Sequence, residues 1–512
     1  MTDDRAEPLE SAGKPWRDAL IIIALSTLLR LALGAVVPLF PDEAYYWEWS
    51  RHLAGGYFDH PPAIAWLIAG GTTLLGDTPL GVRLLPIFAG SVAMLALVRA
   101  SLHLAGSRAA RYAALLLACL PLTGAGLILA TPDAPLLAGI AWTLYAVIRA
   151  IDTPLRSGAS TRWWIIAGLA IGAAMTSKFT GVFVPLALMI AFLVHAPLRA
   201  RFREPGPWLA VAVASLAMIP VLTWNATHDW IAFRFQFRHG LGTSTRESWM
   251  TRELRLVGGQ FAIVTPILLP LLVGATWRAL RAPRDAPRFA LAVVVAFCAA
   301  FFVYSATRRS VEPNWPALVW IPAIVLLASV RSGPRTAWER RAAWLVGVVT
   351  AILLVHVVHP VLPLPARRDQ VSRAHGWDAL GRSVDSARAA SGTLHIAANR
   401  YQDAAKLAFH LPGHPPVVAL NLVDRRNQYD LWPRFPDRAN AGDDLLLLLE
   451  PPREGLPGPI RRLTGHFAVI DSGTLITLLR DGERVGSRRL WHLQNWAGTW
   501  PADSTDPLRR FP

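Results

Sequence analysis

The chain has 512 residues, 53% of them apolar and 17% charged, with a formal net charge of +16. That composition excludes an ordinary soluble enzyme, and the length excludes a single membrane span, so a polytopic α-helical membrane protein is expected. The arginines are scattered over many short loops, which leaves no basic domain to grip a phosphate backbone and excludes nucleic acid as a partner.

A polar stretch from Met1 to Arg17 precedes an apolar run at 19–38 that lacks a small-residue cleavage pattern, and this reads as an uncleaved signal anchor. Further predominantly apolar runs, about 17 to 25 residues being the length that crosses a bilayer as a helix, fall near 80–100, 112–130, 134–150, 163–176, 180–196, 207–223, 256–277, 289–306, 315–330 and 342–359. About 11 to 13 transmembrane helices are therefore predicted. The segment 61–76 is apolar but short and starts with Pro61-Pro62, so it is expected to be a re-entrant or surface helix.

Lys and Arg accumulate in short cytoplasmic loops, so their distribution orients the chain. With the N-terminus inside, every second turn is basic, from Arg108 and Arg111 through Arg149, Arg156 and Arg162 to Arg331, Arg335, Arg340 and Arg341. The opposite face then receives the loop at 41–62, the turn Thr131-Pro132-Asp133, the loop 224–255, the turn 307–314 and everything after about residue 360. Membrane lipids are one obligatory partner. The two cysteines, Cys119 and Cys298, fall inside predicted spans and offer neither a disulfide framework nor a thiolate metal site.

Two domains are expected: a membrane domain over 1–360, with its first external loop at about 41–79, and a C-terminal α/β domain over 361–512, placed in the periplasm by the orientation. A Pro-rich linker, His359-Pro360-Val361-Leu362-Pro363-Leu364-Pro365, separates them. Beyond it, Thr393 to Ala398, Pro416 to Leu422 and Leu445 to Leu449 read as strands, and Tyr401 to Leu411 as a helix. The tail from about 485, with Trp491, Trp496 and Trp500, has no clear period.

The loop 41–62 holds four carboxylates and six large aromatics between two apolar segments. Tyr45, Tyr46, Trp47, Trp49 and Tyr57 suit an aromatic belt at headgroup depth. Acids at that depth lose solvation unless they meet cations, metals or substrate hydroxyls, so Asp42, Glu43 and Asp59 mark a candidate site. Only three lysines exist, Lys14, Lys178 and Lys406. Lys178 at an external helix end, and Arg308 and Arg309 in the 307–314 turn, are candidate partners for an anion, with simple snorkelling as the bland alternative. Asp133, between two prolines, suits a helix N-cap as well as a site. Polar and aromatic clusters at Asn399–Gln402 and Asn427–Trp432 read as turns or as carbohydrate-contacting loops.

The string Asp42-Glu43-Ala44-Tyr45-Tyr46, with Tyr57-Phe58-Asp59-His60-Pro61-Pro62, resembles the first external loop of lipid-carrier-dependent glycosyltransferases related to protein O-mannosyltransferases and the lipid A aminoarabinose transferase. The resemblance continues through Thr131-Pro132-Asp133-Ala134-Pro135, Ser177-Lys178-Phe179-Thr180-Gly181 and Glu312-Pro313-Asn314-Trp315-Pro316-Ala317. It implies a GT-C type membrane fold and inverting transfer of a sugar from a polyprenyl phosphate, undecaprenyl phosphate in a bacterial inner membrane, to a hydroxyl of a lipid, glycan or protein acceptor. Asp42 would then be the catalytic base. Glu43, Asp59, His60, Asp133, Lys178, Arg308 and Arg309 would bind substrate. The aminoarabinose branch carries Glu and Lys before the paired prolines, where this chain has Asp59 and His60. No cofactor is required by these residues, and a divalent metal is left open. A lipid-linked-sugar flippase or secondary transporter is the alternative, although paired broken helices and midplane charges are not evident. A ligase using a diphosphate-linked donor also stays open.

Overall fold

The computed structural model describes residues 9–242, 247–330, 334–366, 368–422, 425–452 and 454–501. The chain divides into two compact units. One takes the chain up to Val36, Leu53–Gly56 and His60–Val361; the other takes Val37–His52, Tyr57–Asp59 and the chain from Leu362. The acidic loop is therefore shared out, most of it going with the C-terminal domain.

Helix α1 (Leu9–Val36) opens the membrane unit, and α2 (Pro41–Ser50) belongs to the second unit. The membrane unit continues with α3 (Ala63–Leu75), α4 (Pro79–Cys119), α5 (Asp133–Ile151), α6 (Gly158–Ser177) and, later in the chain, α7 (Ala286–Arg308). Leu25 and Leu28 of α1 are each 60% exposed, an outward apolar face that suits lipid. Among the described residues five helices are long and apolar enough to cross a membrane, or up to eight if each of three bent pairs is one span.

That number differs from the expected 11 to 13 because several apolar runs are not straight helices. The run near 80–100 and the first part of the run near 112–130 lie in one helix, α4, interrupted at Ala105 and Gly106, where φ of 81° at Gly106 breaks the helical path, and the second run leaves that helix after Cys119 for two short turns. The run at 256–277 becomes Trp249–Val264 plus Leu268–Leu280, bent by 98°, and Thr265 before Pro266 carries a φ of 72°. Ala63–Leu75, expected as a surface or re-entrant helix, has 13 residues and is too short to span.

Close packing of α5 on α6 depends on Gly139, since a Cβ there would lie 2.5 Å from the Ala174 nitrogen. Small residues let membrane helices approach in this way.

The second unit is built on a six-stranded sheet of β1 (His395–Ala398), β2 (Val417–Ala419), β3 (Leu445–Leu449), β4 (Phe467–Asp471), β5 (Leu475–Arg480) and β6 (Glu483–Trp496). β2, β1 and β3 run parallel, with Ala397 opposite both Val418 and Leu447. Helix α8 (Tyr401–His410) connects β1 to β2, as a parallel pair requires. The five leucines of β3 are all buried, which fits a central strand covered on both faces. β6 is antiparallel to β3, β4 and β5. The Trp-bearing tail without a sequence period thus supplies the longest strand of the sheet.

Candidate functional site

Helix α2 starts on Pro41, whose fixed φ and missing N–H suit the first helical turn. Asp42 and Glu43 follow in that turn, where the positive end of the helix favours carboxylates. Glu43 is buried and folds back, its Oε2 accepting from the Phe40 N–H at 2.9 Å. It caps its own helix. Asp42 keeps solvent access although protein surrounds its carboxyl, whereas Glu43 through Ser50 are all buried.

Two loops leave the carboxyl ends of the parallel strands β1 and β2, the place where open α/β sheets usually bind ligands. The first brings Tyr401 and the second brings Arg425 and Gln428. They meet α2 and the Tyr57–Asp59 segment, all within the second unit. Asp59 is the centre: its Oδ2 accepts from the Tyr45 hydroxyl at 2.7 Å, and its Oδ1 accepts from Arg425 Nη1 at 2.8 Å. Arg425 Nη2 donates to the Tyr401 hydroxyl at 3.1 Å, and the Gln428 N–H donates to the Tyr45 hydroxyl at 2.7 Å. Gln428 Oε1 in turn accepts from the Phe58 N–H at 2.8 Å.

Burial and charge set the titration of this cluster. Burial by surrounding protein raises the Asp42 carboxyl above the ordinary aspartate range; the Asp59 charge raises it further, Arg425 and Arg373 pull it back, and Glu43 adds a small push upward. Burial raises the Tyr45 phenol well above its usual value, as does the nearby Asp59 charge. Burial also raises Tyr401. For Arg425, burial works against the charge, but Asp59 and the two tyrosines outweigh it and the guanidinium is held more firmly protonated than usual. The result is a carboxylate of raised basicity, Asp42, under the influence of a second one, Asp59, that is bonded to a guanidinium.

Lys406 anchors the entrance to α2. It is fully buried, and its Nζ donates to the carbonyls of Leu39 at 2.7 Å and Ala374 at 3.1 Å. Trp47 and Phe409 pack edge to face at 5.0 Å, joining α2 to α8.

In the membrane unit, three separate motifs converge. Lys178 Nζ contacts Asp133 Oδ1 at 2.7 Å, and Asn314 Nδ2 donates to Asp133 Oδ2 at 2.8 Å. Asp133 begins α5 and Lys178 follows the last residue of α6, so the pair joins the two helix ends. Arg308 donates to the Tyr304 hydroxyl at 2.8 Å and Arg309 to the Arg238 carbonyl at 2.7 Å, with both Nε atoms buried and unpartnered among the described residues. Burial lowers the pKa of the Arg309 guanidinium. His60 is half-buried at the start of the membrane unit's longest segment. Among the described residues no group of three or more His, Cys, Asp or Glu could hold a metal ion.

Arg425 was not marked by the sequence reading. The only local signal was its place just before the Asn427–Trp432 cluster.

Residues 59–224 match the family model described as dolichyl-phosphate-mannose-protein mannosyltransferase. The lipid A galacturonosyltransferase RgtD of Rhizobium johnstonii is 28% identical over 317 residues, covering 60% of this chain and 64% of that protein. The lipopolysaccharide core galacturonosyltransferase RgtA of the same organism is 27% identical over 225 residues, 42% of this chain and 43% of that one. The chain thus spans less than two thirds of the length of either relative. Among solved structures, apo ArnT from Cupriavidus metallidurans has the same fold, with a TM-score of 0.65 at 20% identity over 92% of this chain and 97% of that one. Its form bound to undecaprenyl phosphate gives 0.60 over the same shares. The matched segment is similar to the mannosyltransferase family model, the curated relatives are glycosyltransferases, and the fold is that of ArnT.

Proposed function

We propose that this multi-pass membrane protein of the GT-C superfamily transfers a sugar from a polyprenyl phosphate to a hydroxyl of a cell-envelope acceptor. The observation that carries the reading is Asp42 in the first turn of α2, raised in pKa by its protein surroundings and by the charge of Asp59, which Tyr45 and Arg425 hold by hydrogen bonds. In the reaction the acceptor oxygen attacks the anomeric carbon, the bond from that carbon to the phosphate oxygen breaks, and the hydroxyl proton passes to Asp42. A general base works best when its pKa approaches the operating pH, which is the direction in which Asp42 is shifted.

The leaving lipid phosphate gains charge as the bond breaks and needs fixed cations. Arg308 and Arg309 are offered for that role, because each keeps an unpartnered buried Nε and because an arginine fork suits phosphate. Lys178 is already paired with Asp133, so both are read as holding the fold of the membrane unit where donor contacts arise. Glu43 and His60 are kept as further substrate-binding candidates. The relatives' names support a glycolipid of the lipid A or lipopolysaccharide core type as acceptor and a galacturonosyl donor; the name of the liganded ArnT structure supports undecaprenyl phosphate as carrier. Arginine distribution supports the bacterial inner membrane with the C-terminal domain on its periplasmic side.

The test uses the purified protein in proteoliposomes with undecaprenyl-phosphate-linked galacturonate, aminoarabinose or mannose and lipid A. Product should form with the wild type, and Asp42→Asn should stay folded but lose transfer. Near-wild-type product from that variant refutes the base assignment. Movement of the donor across the bilayer without any sugar transfer overturns the reading in favour of a flippase.

A further inference from the structure

We infer that Arg425, from the C-terminal domain, is a positioning residue for the transfer step, clamping Asp59 and fixing the charge setting in which Asp42 works; this rests on the function proposed above. Neither oxygen of Asp59 lacks a donor: Tyr45 holds one at 2.7 Å and Arg425 the other at 2.8 Å. Arg425 is held in turn, since its second Nη reaches the Tyr401 hydroxyl at 3.1 Å and its guanidinium lies 5.1 Å from the centre of that ring. The 425–428 segment grips the loop at three points, through Arg425 on Asp59, Gln428 Oε1 on the Phe58 N–H, and the Gln428 N–H on the Tyr45 hydroxyl.

The chemistry follows from like charges. The Asp59 charge makes Asp42 harder to ionise, and a cation bonded to Asp59 offsets that effect. The groups acting on Asp42 are Asp59 and Glu43 on the acidic side, and Arg425 and Arg373 on the basic side, with Tyr401 beside them. Arg425 is bonded directly to Asp59. Arg425 and Tyr45 occupy both oxygens of Asp59, which leaves Asp42 as the carboxylate free to exchange a proton with the acceptor. The domain that follows the membrane helices is on this account part of the reacting site.

The experiment is a pH profile of kcat and KM for wild type, Arg425→Gln and Arg425→Lys in the proteoliposome assay. Loss of a hydrogen-bonded charge should cost Arg425→Gln about tenfold to a hundredfold in kcat/KM, mostly in kcat. Its acid limb should move to higher pH, because removing a cation raises the Asp42 pKa further. Arg425→Lys should return the limb to its wild-type place without restoring full kcat, since lysine cannot bridge Asp59 and Tyr401 in the fork geometry. An Arg425→Gln protein with wild-type kcat and an unmoved limb, changed only in thermal stability, overturns the inference. If that variant cannot be purified, Arg425→Lys decides alone: wild-type kcat overturns it, and a lowered kcat with an unmoved limb supports it. A wild type silent with every donor would instead count against the proposed function.

Discussion

Lys178 Nζ lies 2.7 Å from Asp133 Oδ1, tying the end of α6 to the start of α5. The side chains are only 12% and 21% exposed, so removing one partner leaves a poorly hydrated charge. Lys178→Met should lower the stability of the detergent-solubilised protein by about 1 to 3 kcal/mol. The double variant Lys178→Met/Asp133→Asn should be more stable than the sum of the single effects implies, by at least about 0.5 kcal/mol. A thermal-unfolding cycle measures this; strict additivity would show the contact to be idle.

Tyr45 should matter through one oxygen. Its hydroxyl donates to Asp59 and accepts from the Gln428 N–H, while its ring stacks with Tyr429 at 6.0 Å and meets Tyr401 at 4.5 Å. Tyr45→Phe keeps the rings and removes both hydrogen bonds. The expected result is a fall of about tenfold in kcat/KM with a stability loss of about 1 to 2 kcal/mol. Steady-state kinetics beside a melting curve would separate the two effects.

Asp42 should trade stability for function. Its folded pKa is raised by burial first and by Asp59 second, so charging it costs stability at every pH above that raised value. The cost fades as pH falls through the folded pKa and is gone below the unfolded value of about 4. Asp42→Asn should therefore melt at a higher temperature than wild type at neutral pH, and the gap should close under acid. The same shift puts the acid limb of wild-type transfer above the ordinary aspartate range. Melting curves at neutral and acid pH that run parallel would contradict the assignment.

Parts of this architecture were legible from local pattern alone. The run Leu445–Leu449 forms a strand over those same residues, because a short apolar block bracketed by Asp443, Asp444 and Glu450 has little else to become. The helix expected at Tyr401–Leu411 ends one residue earlier. Asp133, Lys178 and the Asn314 motif, distant in sequence, do meet. Legibility failed where long-range partners decide. β6 shows no alternation because three different strands pair with it and cover it unevenly. Arg425 looks like any basic loop residue until Asp59, far away in the chain, is placed against it. Glu43 has a capping role that the sequence pattern did not bring out: its acid lies three positions after a helix's first free N–H, a geometry that the adjacent Pro41 could have signalled.

Lys406 gives the sharpest test of how α2 is held. Its ammonium is fully buried and binds the Leu39 and Ala374 carbonyls, with the Trp377 ring 5.5 Å away. Lys406→Met fills nearly the same volume but leaves those carbonyls short of a donor, which should cost about 2 to 4 kcal/mol. Leu39 lies three residues before Asp42, so the loss should also loosen the carboxylate and depress kcat in whatever fraction stays folded. His410, whose pKa burial and the Lys406 charge push down to about 3, gives a control. With the lysine charge removed, its pKa should rise toward the ordinary range as judged by NMR titration of the imidazole. An unchanged His410 pKa together with wild-type melting would mean that Lys406 is not the buried cation that fixes the start of α2.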